Sequence, residues 1–218
     1  MALAIFDLDN TLLKGDSDHR WGEYMCTSGR VDAEQFARQN DQFYADYAEG
    51  SLDIYAYLRF ALSPIAGLSI AEVEPLQQEF LERWVEPMIL PKAMELLDRH
   101  RQAADKLLII TATNTVVTRP IATRLGVEEL LGCEAEIVDG RYTGEMTGIP
   151  SFQQGKVERL HQWAHDQRVS LEGAFFYSDS HNDLPLLEQV AHPVAVDPDA
   201  TLLATARARE WPVISLRQ

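Results

Sequence analysis

The chain has 218 residues, 46% of them hydrophobic, enough to bury a core in one domain or in a core domain with an insertion, and this excludes wholesale disorder. A formal charge of -15 repels nucleic acid and anionic membranes, so neither is expected as a partner, and no apolar run reaches the ~20 residues that span a bilayer. Two isolated cysteines, Cys26 and Cys133, and an N-terminus without a basic segment predict a cytoplasmic protein.

Residues 2–6 form an apolar run that stops abruptly at Asp7, the pattern of a buried strand with a polar C-terminal end. A turn-like stretch, residues 10–15, follows. From about Ser17 to Trp84 apolar and aromatic residues recur at helical spacing, with Pro64 and Gly67 as breaks and Ser69 with Glu72 as a capping box. A helix is predicted over 92–103, a second buried strand over 107–110 ending at Thr111, and a helix over 115–125 with Gly126 as its C-terminal stop. Residues 134–147 alternate around Asp139-Gly140, a hairpin signal. A helix covers about 155–167, a third buried strand 174–178 ends just before Asp179, and short strands near 194–196 and 213–215 complete the chain.

Apolar strands alternating with helices predict an α/β protein, a parallel sheet covered on both faces. In such sheets ligands bind beyond the carboxyl ends of the strands. Asp7, Thr111 and Asp179 would therefore meet at one edge. Asp7 and Asp9 flank one residue just past a strand, and Asp179, Asn182 and Asp183 follow another. Carboxylate oxygens suit a hard cation such as magnesium, and a metal there would neutralise a phosphate and align it for attack. A carboxylate can also be a phosphoryl acceptor when a second group moves the leaving group's proton. Asp7 and Asp9 fit those two roles, with Thr111 and Lys156 available to hold phosphate oxygens and offset the carboxylates. Each residue also has a plainer reading. Asp7 and Asp9 could shape a turn, Thr111 could cap a strand, Lys156 could sit on a solvated helix face, and Asn182 or Asp183 could serve a helix N-terminus.

The blocks DLDNT, LLIIT, GK and SDSHND, in that order, resemble the four motifs of the haloacid dehalogenase superfamily, over residues 5 to 187. The resemblance is to its phosphoserine-phosphatase-like branch, with a possible histidinol-phosphatase-like member. It implies a Rossmann-like core of residues 1–16 and 89–218 with a helical cap, residues 17–88, inserted after the first strand. It further implies Asp7 as nucleophile and Asp9 as acid/base. Thr111 and Lys156 would hold phosphate, with Ala112, Thr113 and Asn182 beside substrate. Mg2+ would sit on the Asp7 carboxylate, the Asp9 carbonyl and Asp179, with Asp183 either holding a metal-bound water or orienting Lys156. The chain departs from that branch at Thr111-Ala112-Thr113, where a Ser-Gly-Gly run is usual, and at Ser178, where Gly is usual.

The same resemblance addresses substrate. Asp16 lies nine residues after Asp7, where the branch carries an ammonium-binding Glu; its other reading is a cap for the helix opening near Ser17. The branch's carboxylate-binding cap arginine falls on Ala61 here, with Arg59 two residues away. A buried carboxylate without a partner is costly, so the expected substrate is a small phosphorylated amino alcohol such as histidinol phosphate, with phosphoserine second. A dehalogenase is disfavoured by Asp9, and a non-catalytic binding protein by the intact Asp7, Lys156 and Asp179. The cap aromatics are expected mostly in the core, His100, His161, His165 and His192 on surfaces, and the assembly as monomer or homodimer.

Overall fold

The computed structural model describes residues 2–217. Seven strands form one sheet: β1 (Leu3–Phe6), β2 (Lys106–Asn114), β3 (Glu129–Val138), β4 (Arg141–Thr147), β5 (Phe175–Ser178), β6 (His192–Val196) and β7 (Val213–Ile214). Their order is β4-β3-β2-β1-β5-β6-β7, with every pairing parallel except β3 with β4. β1 lies in the middle, Phe6 opposite Ile109 on one side and Tyr177 on the other, so the residues just beyond these positions emerge together.

Alternation along the strands sends Leu3, Ile5, Leu108 and Ile110 to one face and Ala4, Phe6 and Ile109 to the other. The first face is covered by α7 (Gln154–Gln167), α8 (Leu184–Leu187) and α9 (Ala200–Ala208), through Val157, Leu160, Leu186, Leu187, Leu202 and Ala206. The second is covered by α5 (Pro91–Gln102) and α6 (Thr115–Arg124), through Ala93, Leu96, Leu97, Val117 and Ile121. Proline at the first position of α5 loses no needed N–H there.

Between β1 and α5 run α1 (Ser17–Thr27), α2 (Ala33–Glu49), α3 (Ile54–Leu62) and α4 (Ile70–Phe80). Asp16, Asp32 and Asp53 cap the first three, and Ser69 with Glu72 forms the expected capping box on α4. A π turn, Leu81–Val85, and a 3-10 turn, Glu86–Met88, return the chain to the sheet. There Leu13 bridges Ile89 and the Lys14 N–H donates to the Met88 carbonyl at 2.7 Å, tying together the entry and exit of the insertion.

The insertion has two parts. Trp21, Tyr24 and Phe80, from α1 and α4, are buried in the same cluster as Phe6 and Ile109, and Trp21 meets Phe80 edge-on at 5.1 Å. Each such side chain contributes about 1.5–3 kcal/mol by burial. These two helices also pack against α6. α2 packs on α1 and α3 on β4, and Phe36 of α2 stacks on Phe60 of α3 at 4.1 Å.

Three features differ from the sequence reading. β2, expected over 107–110, runs on through Thr111 to Asn114. β3 begins at Glu129, five residues before the expected hairpin, because its first half pairs in parallel with β2 and only its second half turns back with β4. Nothing like a turn separates the two halves. His100 is buried rather than on the surface, its ring between the Asp105 carboxylate and the Tyr177 hydroxyl, each at 2.9 Å.

Candidate active site

The carboxyl ends of β1, β2 and β5 converge as expected. The Asp7 N–H donates to the Tyr177 carbonyl at 2.9 Å, which continues the β1–β5 ladder one residue past the strand and aims a buried carboxylate along the sheet edge. Asp7 Oδ1 lies 2.8 Å from Lys156 Nζ. The same ammonium is 2.7 Å from Asp183 Oδ1 and 2.9 Å from its Oδ2, while the Ser178 hydroxyl donates to Oδ2 at 2.7 Å. Lys156 is therefore a buried ion-pair partner in the first turns of α7. Gly155 before it sits against the Pro150 carbonyl, where a Cβ would collide, so a bare backbone is what lets α7 approach this closely.

Asp179 follows β5. Its Oδ1 accepts from the Thr11 hydroxyl at 3.0 Å, and the same hydroxyl is 3.5 Å from Asp7 Oδ2. Asp9 is held at both ends: the Ser17 N–H donates to Oδ1 at 2.6 Å and the Thr113 hydroxyl to Oδ2 at 2.8 Å. Thr113, expected beside substrate, thus acts on Asp9. Thr111 is buried and lines the pocket, with its hydroxyl accepting from the Thr113 N–H at 3.2 Å, and Ala112 lines the pocket beside it.

Electrostatics follow from this crowding. Burial pushes the Asp7 carboxyl up to about 7; Lys156 opposes that rise and Asp183 adds to it. Burial, reinforced by Asp16, also lifts Asp9 to about 7. Asp179 is raised well above the usual range by burial and then by Asp7 and Asp183. Burial pulls Lys156 down, but Asp183 and Asp7 outweigh it and the net shift is upward.

One lysine cannot balance Asp7, Asp9, Asp179 and Asp183, and Asp179 has a single hydroxyl for company. A hard divalent cation fits this set: two carboxylates, Asp7 and Asp179, and a backbone oxygen, with the remaining positions left to water, as magnesium favours. Among the described residues no three His, Cys, Asp or Glu side chains form a ready-made cage. Of the two roles expected for Asp183, holding a metal-bound water or orienting Lys156, its geometry matches the second: both oxygens lie on Lys156 Nζ.

A cavity opens from Asp7, Asp9 and Thr111 toward α2 and α3. Phe43, Tyr44, Tyr47, Leu52, Ile54 and Tyr57 roof it, and Asp16, Asp18, His19 and Asn40 line its side. The cap aromatics therefore divide. Trp21 and Tyr24 are core, as expected of the group, whereas Phe43, Tyr47 and Tyr57 face the cavity. Asp16 caps α1, its Oδ1 accepting from the His19 N–H at 2.8 Å, and also lines the cavity, so its two readings coexist. Ala61 is buried, Arg59 is exposed, and no arginine lines the cavity.

Asn182, expected to touch substrate, spends both ends on protein: Nδ2 donates to the Tyr47 carbonyl and Oδ1 accepts from Gln153 Nε2, each at 3.0 Å. Three residues escaped the sequence reading. Thr11 is the Thr of DLDNT and could have been weighed with its block. Asp18 repeats the D-x-D spacing from Asp16. Asn40 carries no signal, since only folding brings it to the site.

The haloacid dehalogenase-like hydrolase family model matches residues 4–188. The chain is 43% identical over 219 aligned residues to a histidinol-phosphatase of Neisseria meningitidis, covering 99% of both. It is 35% identical to phosphoserine phosphatase SerB1 of Mycobacterium tuberculosis, covering 99% of this chain and 71% of that protein. Among solved structures, a Bordetella pertussis protein of unknown function matches at TM-score 0.92 and 40% identity over 99% and 98% of the two chains. A phosphoserine phosphatase carrying a phospho-aspartyl intermediate analogue matches at TM-score 0.71 and 17% identity over 100% and 94%, a likeness of fold. Family match, close relatives and sheet order agree: the chain is an enzyme of the haloacid dehalogenase-like hydrolase family.

Proposed function

We propose that the protein is a magnesium-dependent phosphatase that hydrolyses a small phosphorylated amino alcohol through an aspartyl-phosphate, histidinol phosphate being the favoured substrate. One observation carries the substrate reading: the cavity above Asp7 is lined by Asp9, Asp16 and Asp18 and by no arginine. Such a cavity favours a cationic substrate and, among the lining residues described, offers a carboxylate no arginine or lysine. The Neisseria relative named as a histidinol-phosphatase supports the same choice.

The residues divide the work as follows. A carboxylate oxygen of Asp7 attacks phosphorus and the ester P–O bond breaks. Asp9, held by Ser17 and Thr113 and lifted to about 7, carries a proton near neutral pH and gives it to the departing alkoxide. It then takes a proton from the water that attacks the aspartyl-phosphate, releasing inorganic phosphate and restoring the Asp7 carboxylate. Lys156 neutralises Asp7 and, held by Asp183, stays directed at the phosphate. Magnesium, held by Asp7, Asp179 and the Asp9 carbonyl, would supply charge neutralisation of the phosphate. Residues 1–16 and 89–218 act as the catalytic core and 17–88 as its cap.

The test is kcat/KM with Mg2+ for histidinol phosphate, phosphoserine and p-nitrophenyl phosphate. The proposal requires hydrolysis of the last and preference for the first over the second. A strong preference for phosphoserine would mean that a carboxylate partner exists outside this cavity.

A further inference from the structure

Tyr47 stands in the last turn of α2 and is fixed from the core side at both backbone and ring. Its carbonyl accepts from Asn182 Nδ2 at 3.0 Å, and its ring lies 6.0 Å from that of Phe152, in the loop before α7. The side chain lines the cavity together with Asp7, Asp9 and Thr111. Burial, and then the carboxylates of Asp7, Asp183 and Asp179 in that order, hold its phenol well above the usual range, so the hydroxyl keeps its proton. Ser180 approaches the phenol oxygen as a donor, while its own oxygen accepts the Asn182 N–H at 3.2 Å. Neither contact uses the proton of Tyr47.

Tyr57 marks the opposite end of the same cavity. The carboxylates that act most on its phenol are those of Asp18 and Asp16. The insertion therefore sets one tyrosine over the ends of β1 and β5 and another beside the start of α1. At the first position, a phosphoryl group held for attack by Asp7 would bring its non-bridging oxygens within reach of the Tyr47 hydroxyl. A neutral O–H donor suits that place. It binds an anionic oxygen and, unlike a second lysine, needs no counter-ion before substrate arrives.

Resting on the phosphatase reading, we infer that Tyr47 is a phosphate-binding residue contributed by the insertion, its hydroxyl donating to a non-bridging oxygen of the phosphoryl group. The insertion thereby helps to hold phosphorus as well as facing the remote end of the substrate. Because every substrate shares the phosphoryl group, loss of the contact acts on all of them alike.

The experiment measures kcat and KM of wild type and Tyr47→Phe, with Mg2+, on histidinol phosphate and p-nitrophenyl phosphate, together with inhibition by inorganic phosphate. Phenylalanine keeps the ring against Phe152 and removes only the hydroxyl. Loss of a hydrogen bond to a charged group predicts a fall in kcat/KM of about 10- to 100-fold on both substrates, mainly through KM, and a similar weakening of phosphate inhibition. A folded Tyr47→Phe with wild-type inhibition by phosphate overturns the inference, as does a loss confined to histidinol phosphate, which would place the hydroxyl at the remote end. Should Tyr47→Phe fail to fold, a crystal structure of wild type with Mg2+ and orthovanadate decides. Tyr47 Oη is expected roughly 2.5–3.0 Å from a vanadate oxygen, and Oη out of reach of every vanadate oxygen overturns the inference. Wild type that hydrolyses neither substrate overturns the phosphatase reading, and this inference with it; hydrolysis that Tyr47→Phe leaves unchanged overturns only the inference.

Discussion

The Asn182 side-chain amide donates to the Tyr47 backbone carbonyl at 3.0 Å, joining the loop after β5 to the last turn of α2. That contact links the roof of the cavity to the segment that carries Asp179 and Asp183. Gln153, just before α7, steadies the amide from the other side.

Breaking this link should loosen the roof without touching the chemistry. Asn182→Ala removes both side-chain hydrogen bonds, and loss of the one to Tyr47, about 1 kcal/mol, should lower kcat/KM about fivefold, mainly through KM. Amide hydrogens in the last turn of α2, next to Tyr47, should exchange faster in the variant, while those of α1 and α4 stay unchanged. Uniformly faster exchange over 17–88 would mean that the whole insertion moves as one body.

The cluster around Asp7 makes metal and pH interdependent. Asp7 and Asp9 have folded-state values raised to about 7, against about 3.9 for a free aspartate. A raised carboxyl binds its proton more tightly when folded. Its stabilising contribution is full below about 4 and is lost as pH rises toward and through 7. Metal-free protein should therefore melt at lower temperature at pH 8 than at pH 5.5, and Mg2+ should restore more stability at pH 8. Chelation should also remove activity, magnesium should return it, and calcium, which prefers more ligands at longer distance, should support it poorly. Thermal melts at both pH values with and without metal check the first claim, and chelator-treated activity the second.

Asp16 caps α1 and, in the proposed reading, takes the substrate's amine, and different substitutions separate the two. Asp16→Asn keeps an acceptor for the His19 N–H and so keeps the α1 cap, but removes the charge. It should cost about 10- to 150-fold in kcat/KM on an amine-bearing phosphate, as loss of a charged hydrogen bond worth about 1.5–3 kcal/mol does. Asp16→Ala should add about 1 kcal/mol of destabilisation through the lost cap. Equal losses on amine-bearing and amine-free phosphates would make Asp16 structural only.

Asp7→Asn should abolish turnover, since an amide cannot form the acyl phosphate. Its fold should survive, because the residue ends a strand and is not packed in the apolar core. Circular dichroism with an activity assay checks both; a folded variant retaining more than a few per cent of activity contradicts the assignment.

Much of this was legible in the chain because its signals are local. Apolar runs ending at Asp7, Thr111 and Asp179 announced a sheet edge, and Ser69 with Glu72 announced α4. The first half of β3 was not legible, because Glu129–Cys133 differs from its hairpin half only in which strand it meets. Burial of His100 depends on Asp105 and on the distant Tyr177, so its position in α5 alone could not reveal it. Likewise, the motif blocks that hold Asn182 and Thr113 do not show which protein groups these side chains bond, whether or not Thr113, which lines the cavity, also meets substrate. Their partners, Tyr47 and Asp9, come from elsewhere in the chain and were not readable from those blocks.

The central claim is that Asp7 carries the phosphoryl group. Enzyme acid-quenched during turnover of a phosphorus-labelled substrate, then digested and mapped by mass spectrometry, tests it most directly. Label on the peptide containing Asp7, absent from Asp7→Asn and discharged by hydroxylamine as an acyl phosphate is, is the predicted result. Label on any other residue, or steady turnover with no labelled protein under conditions that trap acyl phosphates, would contradict it.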